Sequence, residues 1–170
     1  MAGCEAAWQA ANMGIQVTLY EMRPKVKTFA HQTEKLGEMV CSNSFRSNDH
    51  EQNAVGLLHW EMMRANGLVI STAYEHKLPA GGALAVDRDE FANSITNKLK
   101  SHPNIKISYE EVTSLPNTGN WIVATGPLTS SKLANSIVEF TGIESLAFFD
   151  AIAPIVYFDS IAVSYTHLTL

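Results

Sequence analysis

One cysteine lies in a loop whose side chains could activate it. Cys41 is followed by Ser42, Asn43 and Ser44, and Arg46 lies close by in the segment VCSNSFRS. A nearby cation and local amide donors favour the thiolate, which is the nucleophilic form of cysteine. Such a thiolate could act as a nucleophile or contact a flavin ring. A buried thiol in a polar loop is the alternative, and the segment alone leaves both open.

A glycine and an acid are spaced as in a nucleotide site. Gly3 stands near the start of an Ala-rich predicted helix, and Glu21 ends the strand that is predicted to follow it. A glycine lets the backbone approach a pyrophosphate, and the helix N-terminus supplies free amide donors. An acid about 20 residues further on hydrogen-bonds ribose hydroxyls. Helix followed by strand is also a common structural unit, so this spacing alone is weak evidence.

Two glycine-bearing segments could bring the backbone close to a ligand. WIVATGP, over residues 121–127, has the pattern of a short buried strand whose Gly126 lies where a chain returns past a nucleotide. PAGGALAVDR, over residues 79–88, offers two further glycines before an Asp-Arg pair. The alternative for WIVATGP is an ordinary strand-ending turn. The alternative for PAGGALAVDR is a purely structural turn.

The elements around these residues alternate between helix and strand, which predicts an α/β fold with a mainly parallel sheet. Asp87 is predicted to cap a helix whose apolar residues recur at a spacing of four. Residues 22–48 are predicted to form a long loop, and residues 78–85 a turn region. The remaining predictions are helices over 2–13, 51–64 and 129–140, and strands over 15–20, 105–109, 121–124, 146–149 and 152–157.

The composition is that of an ordinary globular protein rather than a basic nucleic-acid-binding module. The net charge is −5, and 46% of the residues are hydrophobic. Cys4 and Cys41 form neither a disulfide framework nor a metal site, and Cys4 is expected to be a packing residue. The two cysteines fit a reduced, cytoplasmic setting. We predict no metal, no membrane span and no signal peptide.

Both ends of the sequence are unusual. The chain opens on a helix with no strand before it, so we expect the first strand of a βαβ unit to be missing. The last residues, VSYTHLTL, show neither periodicity nor capping and match a reading frame through a sequencing adapter. We expect residues 163–170 to be a non-native tail, with a genuine short strand as the alternative.

Several long segments together resemble one family of flavoproteins, the folate- and FAD-dependent tRNA (uracil-5-)-methyltransferases (TrmFO, formerly Gid). The glycine motif of that family, G-G-G-L-A-G, is represented here by Ala2 and Gly3 alone. The matching segments are AGCEAAWQAANMGIQVTLYEMRP, VCSNSFRSND, NAVGLLHWEM, LPAGGALAVDRDEF, ATGPLTS and FFDAIAPIVYFDSI.

The resemblance implies a truncated Rossmann-like FAD/NAD(P)-binding domain over residues 1–162, including the start of an inserted subdomain. It implies transfer of a one-carbon unit from methylenetetrahydrofolate via FAD to C5 of uridine 54 in the T-loop of tRNA, with NAD(P)H as reductant. Cys41 is the implied catalytic residue, and a second catalytic cysteine lies in a segment that this chain lacks. The implied cofactor-binding residues are Ala2, Gly3, Glu21, Arg23, Ser42, Asn43, Ser44, Arg46 and Gly126.

Two other hypotheses remain open. A related flavoprotein installs carboxymethylaminomethyl groups on wobble uridines and shares the fold and the use of folate, but we expect a different loop in place of VCSNSFRS. The chain by itself could also be an inactive, truncated fragment that binds FAD poorly, because a missing central strand exposes sheet edges.

Overall fold

The computed structural model describes residues 1–143, and these form an α/β arrangement with five α-helices. The predicted strands at 146–149 and 152–157, and the tail at 163–170, lie outside the described residues. Within residues 1–143 no helix is both long and apolar enough to cross a membrane. The helices are α1 (Ala2–Asn12), α2 (Ala54–Arg64), α3 (Leu68–Glu75), α4 (Arg88–Ser101) and α5 (Ser131–Thr141), and the strands are β1 (Val17–Glu21), β2 (Ser44–Ser47), β3 (Lys77–Leu78), β4 (Ala83–Val86) and β5 (Ile105–Tyr109).

A parallel strand pair carries the opening helix–strand unit. β1 and β5 pair in register from Val17 opposite Ile105 to Glu21 opposite Tyr109. α1 ends at Asn12, one residue before the predicted end, and Gly14 follows with a φ of +84°, a conformation that glycine adopts without strain. The parallel pair and the alternation of helices with strands confirm the predicted α/β fold class. The expected mainly parallel sheet is not seen among the described strands, because β2, β3 and β4 form an antiparallel sheet.

The hydrophobic core lies where α4 packs against α3, β5 and α1, and Leu84 and Val86 of β4 belong to the same core cluster. Phe91, Ile95 and Leu99 of α4 have no exposed surface, which confirms the predicted spacing of four. Asp87 caps this helix as predicted, since its Oδ1 accepts hydrogen bonds from the backbone N–H groups of Asp89 and Glu90. Burying three large apolar side chains in one row holds α4 against its neighbours.

The segment predicted as a loop over residues 22–48 contains a strand, and the predicted turn region over 78–85 is largely a hairpin. β4 pairs antiparallel with both β2 and β3. Ser44 lies opposite Ala85, and Ser47 lies opposite Ala83. The VCSNSFRS and PAGGALAVDR segments therefore form one sheet. The strand in the first segment was not predicted because it depends on a partner about 40 residues away, while its own residues are mostly turn formers.

The prediction of a buried strand at 121–124 was wrong. This segment has no regular secondary structure, and Ile122 is 73% exposed. Its apolar letters favour a strand, but no described strand pairs with it. A one-turn 3₁₀ helix over Gly126–Leu128 follows, and Gly126 has a φ of +63°.

Candidate functional site

A large cleft opens between the first helix, the edge of β1 and the segments around residues 110–130. Its volume is about 570 Å³. Gly3 lies on one wall, where a Cβ atom would come within 3.6 Å of the Ala124 side chain and 3.8 Å of that of Leu19. The first turn of α1, the end of β1 and the ATG segment therefore converge, as the sequence pattern predicts for a nucleotide site.

Free polar groups line this cleft at two helix N-termini. Neither Met1 before α1 nor Ser130 before α5 provides a side-chain cap. The hydroxyl of Ser130 is buried and has no hydrogen-bond partner among the described residues. Amide donors at a helix N-terminus favour anions, so both ends suit negatively charged ligand groups.

Glu21 lies at the end of β1, and Arg23 binds its carboxylate with two hydrogen bonds. Arg23 Nε donates to Oε1 at 2.9 Å and Nη2 donates to Oε2 at 3.0 Å. Burial by itself raises the pKa of Glu21, but the hydrogen bonds and charge of Arg23 outweigh it, and the net pKa is lowered. The carboxylate is thus ionised at neutral pH.

A second carboxylate, that of Glu38 in the loop after β1, also binds Arg23 and extends the Glu21–Arg23 network. Glu38 Oε2 lies 3.1 Å from Arg23 Nη1. Burial raises the pKa of Glu38, and hydrogen bonds from Gln32 and Thr33 more than compensate, so that this pKa is also lowered. His31 lies in the same cleft wall, where burial and then the charge of Arg23 lower its pKa.

The loop around Cys41 lies outside the residues that line the cleft. Cys41 is exposed, and its backbone carbonyl accepts a hydrogen bond of 3.5 Å from Arg88. Asn43 bonds the backbone of Val86 through both its side chain and its carbonyl. The two motifs that the sequence singled out separately are thus held together, and Arg88 of the second motif donates to the backbone of Cys41 in the first.

Comparison with known proteins places this arrangement in a family. The family model described as glucose inhibited division protein A matches residues 1–169. The chain belongs to this family.

Curated proteins similar to this chain carry the name methylenetetrahydrofolate–tRNA-(uracil-5-)-methyltransferase TrmFO. The relative from Ruegeria sp. (strain TM1040) is 70% identical over 164 residues, which cover 96% of this chain and 37% of the relative. The relative from Roseobacter denitrificans is also 70% identical over 164 residues, covering 96% of this chain and 36% of that protein. The relative from Jannaschia sp. (strain CCS1) is 69% identical over 161 residues, covering 95% and 35% respectively. The chain therefore spans little more than a third of the length of these proteins.

Within the glucose inhibited division protein A family fold, the predicted site residues fall into two groups. Gly3, Glu21 and Arg23 line the cleft, with Ala2 beside them in α1 and Gly126 directly after the cleft residue Thr125. The second group lies on the β2 side of the molecule: Cys41, Ser42, Asn43, Ser44 and Arg46.

Sequence reasoning missed Glu38 and Ser130 as cleft residues. Glu38 belongs to a loop without periodicity, and only the three-dimensional course of that loop returns it to Arg23. Ser130 stood in the quoted ATGPLTS segment, and its place before a predicted helix was the available signal. No cluster of three or more His, Cys, Asp or Glu side chains suited to a metal ion occurs in the part of the chain that the structure describes.

Proposed function

We propose that the complete protein containing this chain binds FAD in the cleft and methylates C5 of uridine 54 in tRNA. The supporting observation is that a nucleotide-type cleft occurs in a chain 70% identical, over 96% of its length, to relatives carrying the methyltransferase name. Methylenetetrahydrofolate is the proposed one-carbon donor, NAD(P)H the reductant, tRNA the substrate and the cytoplasm the location.

The residues of the cleft suit the parts of FAD. The N–H groups around Ala2 and Gly3 would face the pyrophosphate, because α1 has no side-chain cap that competes for them. The Glu21 carboxylate would accept hydrogen bonds from ribose hydroxyls. The unpartnered hydroxyl of Ser130, within the described residues, offers one further polar contact.

FAD supplies the redox chemistry that the reaction needs when it is bound. A methylene carbon must gain two electrons and a proton to become a methyl group, and NAD(P)H provides these electrons. The protein must therefore hold the nucleotide portion rigidly and present a nucleophile to the uracil ring.

We assign the nucleophilic role to Cys41. Addition of its thiolate to C6 of uracil would make C5 nucleophilic, and loss of the C5 proton would later release the thiolate. Cys41 is exposed in the structure, so a large substrate can reach it. The proposed contacts of Ser42, Asn43, Ser44 and Arg46 with the cofactor belong to the same hypothesis.

Mapping the modified uridine in tRNA tests this function. In a strain that lacks the complete gene, nucleoside mass spectrometry of purified tRNA should find unmodified uridine at position 54, and the gene on a plasmid should restore 5-methyluridine. The purified protein should transfer labelled carbon from methylenetetrahydrofolate to the same position. Loss of a modification at position 34, with position 54 unchanged, would instead support the wobble-uridine enzyme.

A further inference from the structure

The side chain of Arg23 is buried and fully hydrogen-bonded within the protein. Besides its two bonds to Glu21, its Nη1 donates to Thr33 O and Glu38 Oε2, both at 3.1 Å, and its Nη2 donates to Lys35 O at 3.3 Å. A guanidinium has five N–H donors. All five are used here, so Arg23 has none left for a phosphate or a hydroxyl of a ligand.

Glu38 is held as firmly as the arginine that it binds. Its Oε1 accepts from Gln32 N at 2.7 Å, while its Oε2 accepts from Thr33 N at 3.1 Å and from Thr33 Oγ1 at 2.8 Å. The side chains of Arg23 and Glu38 are only 7% and 12% exposed. Solvent therefore competes little for these bonds, and charge-assisted hydrogen bonds of this kind are among the stronger ones in proteins.

Glu21 is the member of this chain of contacts that still has capacity for a ligand. Its Oε1 accepts from the backbone N–H of Arg23 at 3.0 Å as well as from Nε, whereas Oε2 accepts only one bond among the described residues. A carboxylate oxygen has about two lone-pair sites. Oε2 thus keeps one site, and its direction is set by the guanidinium that grips both oxygens.

We propose that Arg23 and Glu38 are positioning residues that aim Glu21 at the adenosine ribose of the cofactor. Glu38 fixes Arg23, Arg23 fixes both oxygens of Glu21, and Oε2 of Glu21 accepts from one hydroxyl of the ribose diol. Arg23 then acts on the cofactor through Glu21 rather than by direct contact. This inference rests on the proposed function, because it takes FAD as the ligand of the cleft.

Binding of two ligands to the complete protein separates positioning from general stabilisation. The ligands are FAD and an FAD analogue whose adenosine carries a 2′,3′-dideoxyribose. The Glu38→Gln variant should weaken FAD binding by about tenfold, the effect of one poorly aimed charge-assisted hydrogen bond, and should change the affinity for the analogue less than about twofold. Glu34→Gln, in the same loop but exposed, is the matched control and should change neither affinity.

A milder variant serves if Glu38→Gln does not fold. Thr33→Val removes only the hydroxyl that donates to Glu38 Oε2. We expect the affinity for FAD to fall two- to threefold, about half the effect of one neutral hydrogen bond, and the affinity for the analogue to stay unchanged. Equal weakening of both ligands, or no weakening of FAD, would overturn the positioning role. A complete wild-type protein that binds no FAD would overturn the proposed function itself. That result differs from the variant outcomes, which test only the positioning role.

Discussion

Glu21 holds a structural contact and is also the proposed ribose-binding residue, since Arg23 binds its carboxylate within the protein. The sequence spacing was enough to single it out, because an acid at the end of the second strand of a βαβ unit has a fixed relation to the first helix. Its partner Glu38 could not be found in this way. Sixteen residues of irregular loop separate the two acids, and their meeting depends on the hydrogen bonds that Arg23 makes to that loop.

We expect stability to depend on pH in two stages, through His31 and then through Glu21 and Glu38. The pKa of His31 is lowered from its ordinary 6.5, so its contribution to stability is lost as pH falls below that value. The pKa values of Glu21 and Glu38 are lowered from 4.5, so their contribution is present above pH 4.5 and is lost as pH falls through the folded-state values. We expect the free energy of unfolding of the complete protein, measured with urea between pH 7 and 3, to fall in these two ranges.

The Glu38→Gln variant should flatten the lower stage, because it removes one of the two titrating acids. Each unit by which a pKa is lowered corresponds to about 1.4 kcal/mol of stability above the transition. Glu34→Gln should leave the profile unchanged. An equally steep acid transition in Glu38→Gln would show that the network does not set the stability at low pH.

Cys41 and Cys4 differ in the role that we expect of each: Cys41 is the proposed nucleophile and Cys4 a packing residue. We expect Cys41→Ser to reduce tRNA methylation by more than about 1,000-fold, as the loss of a catalytic nucleophile does, with thermal unfolding and FAD content unchanged because the residue is exposed. Cys4 is buried in α1, and burial raises the pKa of its thiol, which confirms the predicted packing role. Cys4→Ala should retain methylation within a few fold. Full activity of Cys41→Ser would exclude Cys41 as the nucleophile.

At the scale of elements, local signals predicted some helices and failed for another. α4 was predictable because its cap, Asp87, and its apolar row are encoded within the helix itself. α3 was not predicted, because its N-terminus is capped from α1: Glu5 accepts from Leu68 N at 3.0 Å and from Val69 N at 2.8 Å. A cap that lies more than 60 residues away leaves no local signal.

Removal of the Asp87 cap should weaken α4 measurably. We expect Asp87→Ala to lower the free energy of unfolding by about 1 kcal/mol, because two backbone N–H groups lose their acceptor. Urea denaturation of the complete protein measures this difference. Asn97→Ala, at an exposed interior position of the same helix, should change stability by no more than about 0.5 kcal/mol.

α2 approaches the preceding loop so closely that only glycine fits at one position. A Cβ atom on Gly56 would lie 2.0 Å from the backbone oxygen of Asp49. Gly56→Ala should therefore lower the free energy of unfolding by about 1–3 kcal/mol, despite the better helix propensity of alanine. Gly82→Ala, whose added Cβ meets nothing within 4 Å, is the matched control and should be close to neutral. Unchanged stability of Gly56→Ala would mean that the loop moves away at little cost.

At the scale of the whole molecule, the sequence predicted which segments matter better than it predicted how they meet. The convergence of Gly3, Glu21 and the ATG turn followed from the topology of an α/β fold. The pairing of the Cys41 loop with the PAGGALAVDR segment did not, because antiparallel pairing of short strands rich in small residues has no strong sequence signal. The exposed course of residues 121–124 was equally hidden, since an apolar pattern indicates a buried strand only where a partner is available.

Exposed apolar side chains line part of the cleft among the described residues. Ile15 is 55% exposed, and Trp121 and Val123 are 45% and 47% exposed, all of them beside the cleft. Among the described residues, β1 pairs only with β5, so its other edge also faces this space. Unpaired edges and exposed apolar side chains invite other contacts and leave a ligand poorly enclosed.

We therefore expect the isolated 170-residue chain to bind FAD at least about tenfold more weakly than the complete protein, because apolar side chains beside the cleft are exposed among the described residues. Flavin fluorescence titration of both proteins, purified under identical conditions, measures the difference. The isolated chain should also bind a hydrophobic dye such as ANS more strongly per molecule, since its apolar cleft wall remains accessible. Isolated chain that purifies yellow, with one flavin per molecule, would contradict this expectation and would place the whole determinant of FAD binding within these residues.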